Sequence, residues 1–282
     1  MSYLLFDIGG SKMRFAISPD LKTIRKPEIV DTPRNFAEAM KIIAAIATKL
    51  SGGEKIQAAA GGIPGEFDVK HEKLYYSPNL PLWLGKPIKK EMERAIGARI
   101  YSENDATIVG LGEAIHGAGK GYSIVTYFTI STGVGGARIV NGHIDEKSLG
   151  WEPGQDIIAI SKTLPKVSNP KGTHEGYVSG AAISKAYETH PYEIKDPKVW
   201  ETLAEHLAVG LHNSILFWSP DVVVLGGSMI VGRPRIDPAR VAHHLKTKLS
   251  MYPKMPAIKE AKLGAVGGLY GAMEYLKQNI VE

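Results

Sequence analysis

The chain has 282 residues, of which 31 are glycines and none is cysteine, and its formal net charge is +5. At about 150 residues per domain, this length predicts one large or two medium domains, enough chain to bury a proper core. The absence of cysteine excludes disulfides, thiolate zinc sites, iron–sulfur clusters and a cysteine nucleophile. Glycine is above its average share of about 7%, which predicts tight turns or close approach of the backbone to a ligand.

The first half of the chain alternates predicted strands and helices. Tyr3–Ile8 and Met13–Ile17 are typical of strands joined by a Gly-Gly turn, and Thr23–Val30 is expected to form a third strand. The other elements predicted in this half are the strands Ile56–Gly61 and Arg99–Ser102 and the helices Asn35–Leu50, Ile88–Ile96 and Asp105–Ile115.

The second half has the same kind of beginning. Ser123–Ile130 is predicted to be a strand, residues 131–136 a glycine turn, and Ala137–Val140 the returning strand. Residues 150–180 are expected to be rich in loops. The remaining predicted elements are the helices Leu203–Trp218, Pro238–Leu249 and Gly264–Gln278 and the strands Val222–Leu225 and Ile258–Leu263.

One unit occurs twice in the sequence. LLFDIGGSKMRFAIS and YFTISTGVGGARIV each combine a strand, a glycine turn and a second strand. This order excludes a Rossmann fingerprint, in which the glycines must open a helix. There is also no GxxxxGK[ST] sequence, so a P-loop is excluded.

Each of these turns is a candidate phosphate-binding site. Adjacent glycines let backbone amides approach an anion, and such concave groups of amides bind phosphates. The first turn also carries Asp7 at a strand end, where one carboxylate with water and phosphate can hold Mg²⁺. A plain hairpin is the alternative for either turn alone, but two turns at equivalent positions favour phosphate binding.

Two other short stretches invite both a structural and a functional interpretation. Glu103-Asn104-Asp105 ends a strand and opens a helix, so it is either a helix cap or a source of a general base toward a hydroxyl. Gly226-Gly227-Ser228 follows a buried strand, at the end where ligands gather in α/β folds, although a simple strand-to-loop transition is equally compatible.

At this point the ordered motifs resemble the ROK sugar kinases. DIGGSKMR and STGVGGARIVNG are similar to the two phosphate motifs of that family, and ENDA is similar to its catalytic segment. GGIPGEFD, SPNLPLW, GWEPGQ and EGYVSG resemble its sugar-binding stretches, and LGGS its adenosine motif. The resemblance spans about residues 3 to 275. It implies an α/β fold with two ribonuclease-H-like domains of the actin-like ATPase type and a central cleft.

The resemblance also implies roles for individual residues. Asp105 would be the general base that takes the proton of a sugar hydroxyl, usually the 6-OH, which then attacks the γ-phosphate of Mg-ATP. The residues expected to contact the sugar are Gly65, Asn79, Asn104, Glu152, Gln155 and Glu175. The residues expected around phosphates and magnesium are Asp7, Gly9, Gly10, Ser11, Lys12, Thr132, Gly133 and Gly135, with Gly226, Gly227 and Ser228 bordering the adenosine.

One departure from the family concerns the metal and the acceptor. Many members have a zinc loop with three cysteines and a histidine in an ExGH motif. Here the cysteines are missing and Gln155 stands in place of that histidine. We therefore expect ATP and Mg²⁺ as cofactors and no zinc site. Gln155 can donate and accept hydrogen bonds to a hydroxyl, but it leaves the choice of sugar open.

The predicted domain division follows from the same resemblance. Residues 1–104 with 268–282 are expected to form a small domain, and residues 105–267 a large domain with the sugar and nucleotide loops. The oligomeric state is left open, with a homodimer, which relatives often form, as one option.

Charge and hydropathy limit the remaining partners. Residues 231–262 carry eight basic and two acidic side chains, which form either a solvated face or a field that attracts an anion. No helix-turn-helix pattern or aromatic interleaving accompanies them, so we expect no nucleic-acid partner. The N-terminus has an acid at Asp7 and no basic segment before it, and no apolar stretch is long enough to span a bilayer. A cytoplasmic protein without a membrane partner is expected.

Three functions remain open on this basis. The first is a glucokinase-like hexose kinase that uses ATP. The second is a related kinase for an N-acetylhexosamine, either N-acetylglucosamine or N-acetylmannosamine, or for fructose. The third is a sugar-sensing protein without catalytic activity, against which the presence of Asp105, Asp7 and both glycine turns argues.

Overall fold

The computed structural model describes residues 2–147, 150–159, 169 and 171–280. It divides the chain into two compact units. The first unit comprises Met1–Gly112, Glu146–Gly150 and Ala265–Glu282, and the second comprises Glu113–Asp145 and Trp151–Gly264.

The elements follow one another in the order expected of an α/β chain. The strands are β1 (Ser2–Ile8), β2 (Lys12–Ser18), β3 (Glu28–Asp31), β4 (Ile56–Ile63), β5 (Glu66–Phe67), β6 (Leu74–Tyr76), β7 (Arg99–Asn104), β8 (Ile124–Ile130), β9 (Val134–Val140), β10 (His143–Ile144), β11 (Val222–Gly226) and β12 (Ala257–Glu260). The helices are α1 (Phe36–Ser51), α2 (Ile88–Ile96), α3 (Asp105–Ile115), α4 (Glu175–Val178), α5 (Gly180–Tyr187), α6 (Pro197–Trp218), α7 (Ser228–Val231), α8 (Pro238–Lys248) and α9 (Gly267–Ile280). Short 3-10 helices lie at Pro81–Trp83, Pro153–Gln155, Pro191–Glu193 and Gly264–Val266.

The first unit is built on a five-stranded sheet in the order β3-β2-β1-β4-β7. The first three strands are antiparallel neighbours, and β1, β4 and β7 run parallel. Alternate residues of β1 enter different cores because successive side chains of a strand point to opposite faces. Phe6 packs with α1 and α2 on one face, whereas Leu5 packs with Leu269 and Met273 of α9 on the other.

Local sequence explains why α1 begins and ends where it does. The side chain of Asn35 accepts a hydrogen bond from the amide of Glu38 at 3.0 Å, which satisfies one of the free donors of the first turn. Gly52 ends the helix in the left-handed conformation with φ of 61°. Ile43 and Ala47 point into the core, as the helical spacing of the apolar residues predicts.

The second unit repeats the sheet of the first. Its five strands lie in the order β10-β9-β8-β11-β12, with the β8–β9 and β9–β10 pairs antiparallel and the β8–β11 and β11–β12 pairs parallel. The long helix α6 is capped by Asp196, whose side chain accepts from the amide of Lys198 at 2.9 Å. It buries Leu203, Leu207 and Leu211 in one core with strands β8 and β11. The predicted duplication of a strand–turn–strand unit is thereby confirmed.

Several element boundaries differ from the predictions; the long helix α6, for example, begins at Pro197 and not at the predicted Leu203. The third strand covers only Glu28–Asp31, so most of the predicted Thr23–Val30 lies outside it. Residues 134–136, predicted as part of a turn, begin β9 because their backbone pairs with residues 128–130 of β8. The last predicted strand ends at Glu260 instead of at 263.

The compact units and the predicted domains divide the chain at slightly different residues. The first unit continues to Gly112, beyond the predicted boundary at 104, and it also takes in Glu146–Gly150. The C-terminal segment joins the first unit from Ala265 onward, close to the predicted residue 268. No helix among the described residues is both long and apolar enough to cross a membrane.

Candidate active site

The first part of the candidate site lies at the carboxyl ends of the parallel strands of the first unit. In the sheet register Asp7 of β1 is opposite Gly62 of β4, and Ile63 of β4 is opposite Asn104 of β7. Asp105 follows directly as the first residue of α3. Parallel strands place their carboxyl ends at one edge of a sheet, where α/β folds bind ligands.

The side chain of Asn104 both caps helix α3 and contacts another residue of the candidate site. Its side-chain oxygen accepts a hydrogen bond from the amide of Thr107 at 3.1 Å, which caps α3. Its side-chain Nδ2 donates to the carbonyl oxygen of Gly65 at 3.1 Å. The structural interpretation from sequence is therefore correct for Asn104, and the same side chain also contacts a second predicted sugar-binding residue.

Asp105 has the electrostatics of a general base. Burial raises the pKa of its carboxyl to about 7, and the nearby negative charge of Asp7 contributes in the same direction. Its Oδ1 accepts a hydrogen bond from the amide of Ala106 at 2.9 Å, which fixes the direction of the side chain. A carboxyl that titrates near neutral pH is well suited to take a proton from a hydroxyl.

Asp7 lies close enough to Asp105 for its charge to affect the pKa of that carboxyl. Burial raises the pKa of Asp7, and the guanidinium of Arg14 opposes that rise from 3.5 Å away. Gly268 in α9 packs directly on it, since a β-carbon at residue 268 would lie 2.5 Å from Cγ of Asp7. Gly268 is therefore a packing position next to the site.

The first glycine turn is a closed hairpin. The amide of Gly9 donates to the carbonyl oxygen of Lys12 at 2.8 Å, so this amide is engaged within the turn. The ammonium of Lys12 pairs with Asp31 at 2.6 Å on an exposed surface. Asn79 is exposed and lies against the turn, because a β-carbon at Gly10 would be 3.0 Å from its own β-carbon.

Three polar residues next to the candidate site were not among the predicted site residues. Glu66, Glu103 and Lys147 form a buried polar cluster beside Asn104. The ammonium of Lys147 lies 2.9 Å from Oε1 of Glu103, and Nδ2 of Asn104 lies 3.4 Å from Oε1 of Glu66. Glu66 and Glu103 lie within the motifs GGIPGEFD and ENDA, but no local pattern signals Lys147, which comes from a loop remote in sequence.

The second unit carries a cavity of about 290 Å³ at its own strand ends. Thr129 of β8 is opposite Gly226 of β11, so the following Ser131 and Ser228 lie side by side, with their hydroxyls 3.1 Å apart. The cavity is lined by Ser131, Thr132, Gly180, Ala181, Ser184, His190, Pro191, Tyr192, Ser228 and Met229. The lining combines hydroxyls with the aromatic ring of Tyr192, which suits a ligand that has both polar and flat parts.

The predicted sugar loop of the second unit lies next to the second glycine turn. Oε2 of Glu175 accepts a hydrogen bond from the amide of Val134 at 2.8 Å and would be 2.7 Å from a β-carbon at Gly133. The backbone of Gly154 packs on Glu175 as well, which brings the Glu152–Gln155 segment to the same place. Gln155 is exposed there. Gly135 lies inside β9, opposite Thr129, and not in the turn.

The described residues contain no group of three or more histidine, aspartate or glutamate side chains arranged to hold a metal ion. Buried histidine does occur in the second unit. Burial lowers the pKa of His174 to about 4, with His206 contributing in the same direction.

Several cations of the 231–262 segment are engaged in pairs. Arg235 pairs with Glu260, Arg240 pairs with Glu201, and the ammonium of Lys259 lies 4.6 Å from the ring centre of Tyr122. Of these contacts only the pair with Glu201 offsets charge from outside the segment, since Glu260 is one of its two acidic residues.

The predicted site residues therefore fall into two sets, each brought together within one unit. The first unit holds Asp7, Gly9, Gly10, Ser11, Lys12, Gly65, Asn79, Asn104 and Asp105. The second unit holds Thr132, Gly133, Gly135, Glu152, Gln155, Glu175, Gly226, Gly227 and Ser228.

Comparison with known proteins identifies the family. The ROK family model matches residues 3–279. The N-acetyl-D-glucosamine kinase of Shigella flexneri serotype 5b is 28% identical over 301 aligned residues, covering 96% of this chain and 97% of its own.

Two solved structures show the same fold. The ROK hexokinase of Thermus thermophilus superimposes with a TM-score of 0.82 at 26% identity, covering 99% of both chains. A ROK family glucokinase of Streptomyces griseus, solved with glucose and AMPPNP, has a TM-score of 0.79 at 22% identity and covers 99% of this chain and 100% of its own. The chain therefore belongs to the ROK family, and the prediction of a sugar kinase with the actin-like ATPase fold is confirmed.

Proposed function

We propose that the protein transfers the γ-phosphoryl group of ATP to the 6-hydroxyl of a hexose, with Asp105 as the general base. The carboxyl of Asp105, with its pKa of about 7, is the observation that carries the proposal. At neutral pH this group exists in both protonation states, so it can accept the hydroxyl proton and release it again. The hydroxyl oxygen then bonds to the γ-phosphorus while the bond to the β-phosphate oxygen breaks and ADP leaves.

The first unit would supply the acceptor side of the reaction. Asn104 is fixed by its cap on α3, so its Nδ2 is a rigid donor beside Gly65. Asn79 adds a second amide next to the first glycine turn. In the second unit Glu152, Gln155 and Glu175 offer the carboxylate and amide groups that bind sugar hydroxyls.

The nucleotide would be bound by the residues of the second unit's cavity. Its polar groups at Thr132 and Ser228 would bind the phosphates and the ribose, and Tyr192 would offer a flat surface for the base. Gly226 and Gly227 let the backbone lie close to Tyr127 and Ile130, where a β-carbon would collide. The other residues assigned to phosphate are Gly9, Gly10, Ser11, Lys12, Gly133 and Gly135.

Mg²⁺ fits the donor chemistry of this site. Asp7 and Asp105 are close enough for their charges to oppose ionisation, and hard carboxylate oxygens with water are what Mg²⁺ prefers. Asp7 would hold the ion through water or phosphate oxygen. The ion would neutralise charge on the transferring phosphoryl group.

A screen of sugars for stimulated ADP release tests the proposal. We expect release with at least one hexose and a product phosphorylated at position 6, identified by ³¹P and ¹³C NMR. Asp105→Asn should abolish that release, whereas the exposed Asp20→Asn should not. If no hexose, hexosamine or N-acetylated hexosamine stimulates ADP release, the kinase assignment fails and a non-catalytic sugar-binding role is favoured.

A second candidate acceptor is an N-acetylhexosamine. The curated relatives that match this chain include N-acetyl-D-glucosamine kinases at 26–28% identity over nearly the whole chain. The same screen separates this candidate, and fructose, from glucose by kcat/KM. Homodimer formation and a cytoplasmic location remain predictions from sequence.

A further inference from the structure

The first unit has a second cavity, of about 280 Å³, beside the predicted sugar residues. Its wall includes the side chains of Glu66, Phe67, His71, Tyr75, Glu103 and Lys147. Its wall thus combines carboxylates, one ammonium and aromatic rings. None of these residues carries a role in the phosphoryl transfer described above.

Glu66 connects this cavity to the acceptor site. It follows Gly65 directly, and Nδ2 of Asn104 is shared between the carbonyl oxygen of Gly65 at 3.1 Å and Oε1 of Glu66 at 3.4 Å. Only 5% of Glu66 is exposed, and a β-carbon at Gly150 would collide with its carboxylate. A substituent on a sugar held by Gly65 and Asn104 would therefore meet the carboxylate of Glu66.

The charges in the cavity do not balance. Lys147 lies 2.9 Å from Oε1 of Glu103, and the same oxygen accepts a hydrogen bond from the amide of Asn104 at 2.7 Å. The wall thus holds one ammonium and three carboxylates, those of Glu66, Asp68 and Glu103, and the short ion pair of the ammonium is with Glu103. Of the two other carboxylates Glu66 is the buried one, and burial makes its negative charge costly.

Burial and two neighbouring charges together determine the pKa of Glu66. Burial raises the pKa of its carboxyl, Lys147 opposes that rise, and Glu103 adds to it. The ionised form is held back mainly by the lack of solvent. A cation placed against it would relieve that cost, whereas a neutral hydroxyl would relieve less of it.

The aromatic side chains complete a surface suited to a small cation. The rings of Phe67 and His71 stack with their centres 5.4 Å apart, and Tyr75 is about half exposed beside them. Aromatic faces attract ammonium groups, and together with a carboxylate they form a common recognition surface for amines.

We propose that Glu66 selects a hexose acceptor that carries a free, protonated amine, so that a hexosamine is the preferred substrate class. The inference rests on the proposed kinase function and deepens it. An acetylated amine has lost its charge, so this chain would differ in its acceptor from relatives named for N-acetylglucosamine.

The test compares kcat/KM for D-glucosamine, D-glucose and N-acetyl-D-glucosamine in three proteins. These are the wild type, Glu66→Gln, and Glu72→Gln as a matched control on the exposed part of the same loop. The wild type should prefer D-glucosamine to both other sugars. Glu66→Gln should lower the glucosamine-to-glucose ratio about 10- to 100-fold, the size of one charge-assisted hydrogen bond. Glu72→Gln should leave the ratio within about twofold.

A measurement on the wild type alone avoids any folding defect of the variant. The glucosamine-to-glucose ratio of kcat/KM should fall as pH rises through the amine pKa of free D-glucosamine. Glucose shares Asp105 with glucosamine, so titration of the general base cancels in the ratio. The other charged or titratable side chains that face the cavity are Glu103, Lys147, Asp68 and His71, and they are present in both assays.

The possible results separate this inference from the kinase proposal. Hexose phosphorylation with no preference for D-glucosamine, or with a preference that Glu66→Gln leaves unchanged, overturns the role of Glu66 alone. A wild-type preference for N-acetyl-D-glucosamine over D-glucosamine does the same. Absence of ADP release with every sugar overturns the kinase proposal and this inference together.

Discussion

The two units share one sheet order but differ in what they bury at the strand ends. In the first unit the strands end at carboxylates, and burial raises the pKa of Asp7, Asp105 and Glu66. In the second unit the equivalent strands end at hydroxyls and glycines, represented by Ser131 and Ser228. One buried titratable group of the second unit is His174, and burial lowers its pKa.

This difference fits the two tasks that we propose for the two units, proton transfer in the first and nucleotide binding in the second. A carboxyl with a pKa near neutrality is needed where a proton must move, and the first unit has it in Asp105. Neutral donors and glycines are needed where an anionic, flat ligand must approach the backbone, and the second unit has these. The fold decides where the strands end, and the side chains at those ends decide which chemistry is available there.

The largest expected effect lies in the first unit. Asp105→Asn removes the base and should lower kcat about 10²- to 10⁴-fold, the range of general base catalysis. Sugar binding should change little, since Asn keeps the size and most hydrogen bonds of the side chain. Steady-state kinetics and sugar titration calorimetry measure both. Near-normal turnover in this variant would contradict the proposal that proton transfer takes place at Asp105 in the first unit.

The pH dependence of the reaction is the next test. Because the base acts in its deprotonated form and its pKa is about 7, kcat/KM should fall about tenfold per pH unit below pH 7. Activity at pH 5 should then be about 100-fold below the plateau. An acidic limb close to pH 4 would mean that Asp105 titrates as an ordinary exposed aspartate.

Stability against acid tests the second unit. The pKa of His174 is about 4 in the folded chain and 6.5 otherwise, so the unfolded chain binds more protons between these values. Stability is therefore lost as pH falls through this window, by about 2 kcal/mol between pH 7 and pH 5. Denaturant unfolding measures the free energy of unfolding of the wild type and of His174→Leu at both pH values. The fall in stability toward pH 5 should occur in the wild type and be absent from the variant.

The measurement needs a background in which Asp105 cannot titrate. The folded pKa of Asp105 lies above its ordinary value of 3.8, so its contribution has the opposite sign and stability falls as pH rises toward 7. Both proteins should therefore carry Asp105→Asn. Equal pH dependence in the two would show that His174 does not carry the effect.

A pair of glycine substitutions gives the smallest effect and the sharpest contrast. Gly268→Ala would press on Asp7, and Gly210→Ala would collide with the ring of His174. Both should cost about 1–3 kcal/mol of unfolding free energy from overpacking. Only Gly268→Ala should also lower kcat, by about tenfold, because it displaces a group of the site.

Turnover at saturating substrate and denaturant unfolding, measured on the same samples, separate the two effects. An equal fall of kcat in both variants would contradict the separation of tasks between the units.

Much of the fold is encoded in short stretches of sequence. The apolar spacing, the Asn35 cap and the glycine turns each act over about ten residues, and they predicted the repeated strand–turn–strand unit and most helices. Asn104 and Asp105 could be singled out because a strand that runs directly into a helix leaves a recognisable cap. The limits of β9 could not be predicted, because its first residues become a strand only through pairing with β8.

The sequence by itself determined the family, the sheet-forming units and the residues next to the proposed general base. The tertiary structure decided which remote groups surround them. Lys147 reaches Glu103 across 44 positions of sequence, and Gly268 meets Asp7 from the far end of the chain. Burial of Glu66 and the raised pKa of Asp105 follow from this packing, because desolvation depends on every neighbour in space and not on neighbours in sequence.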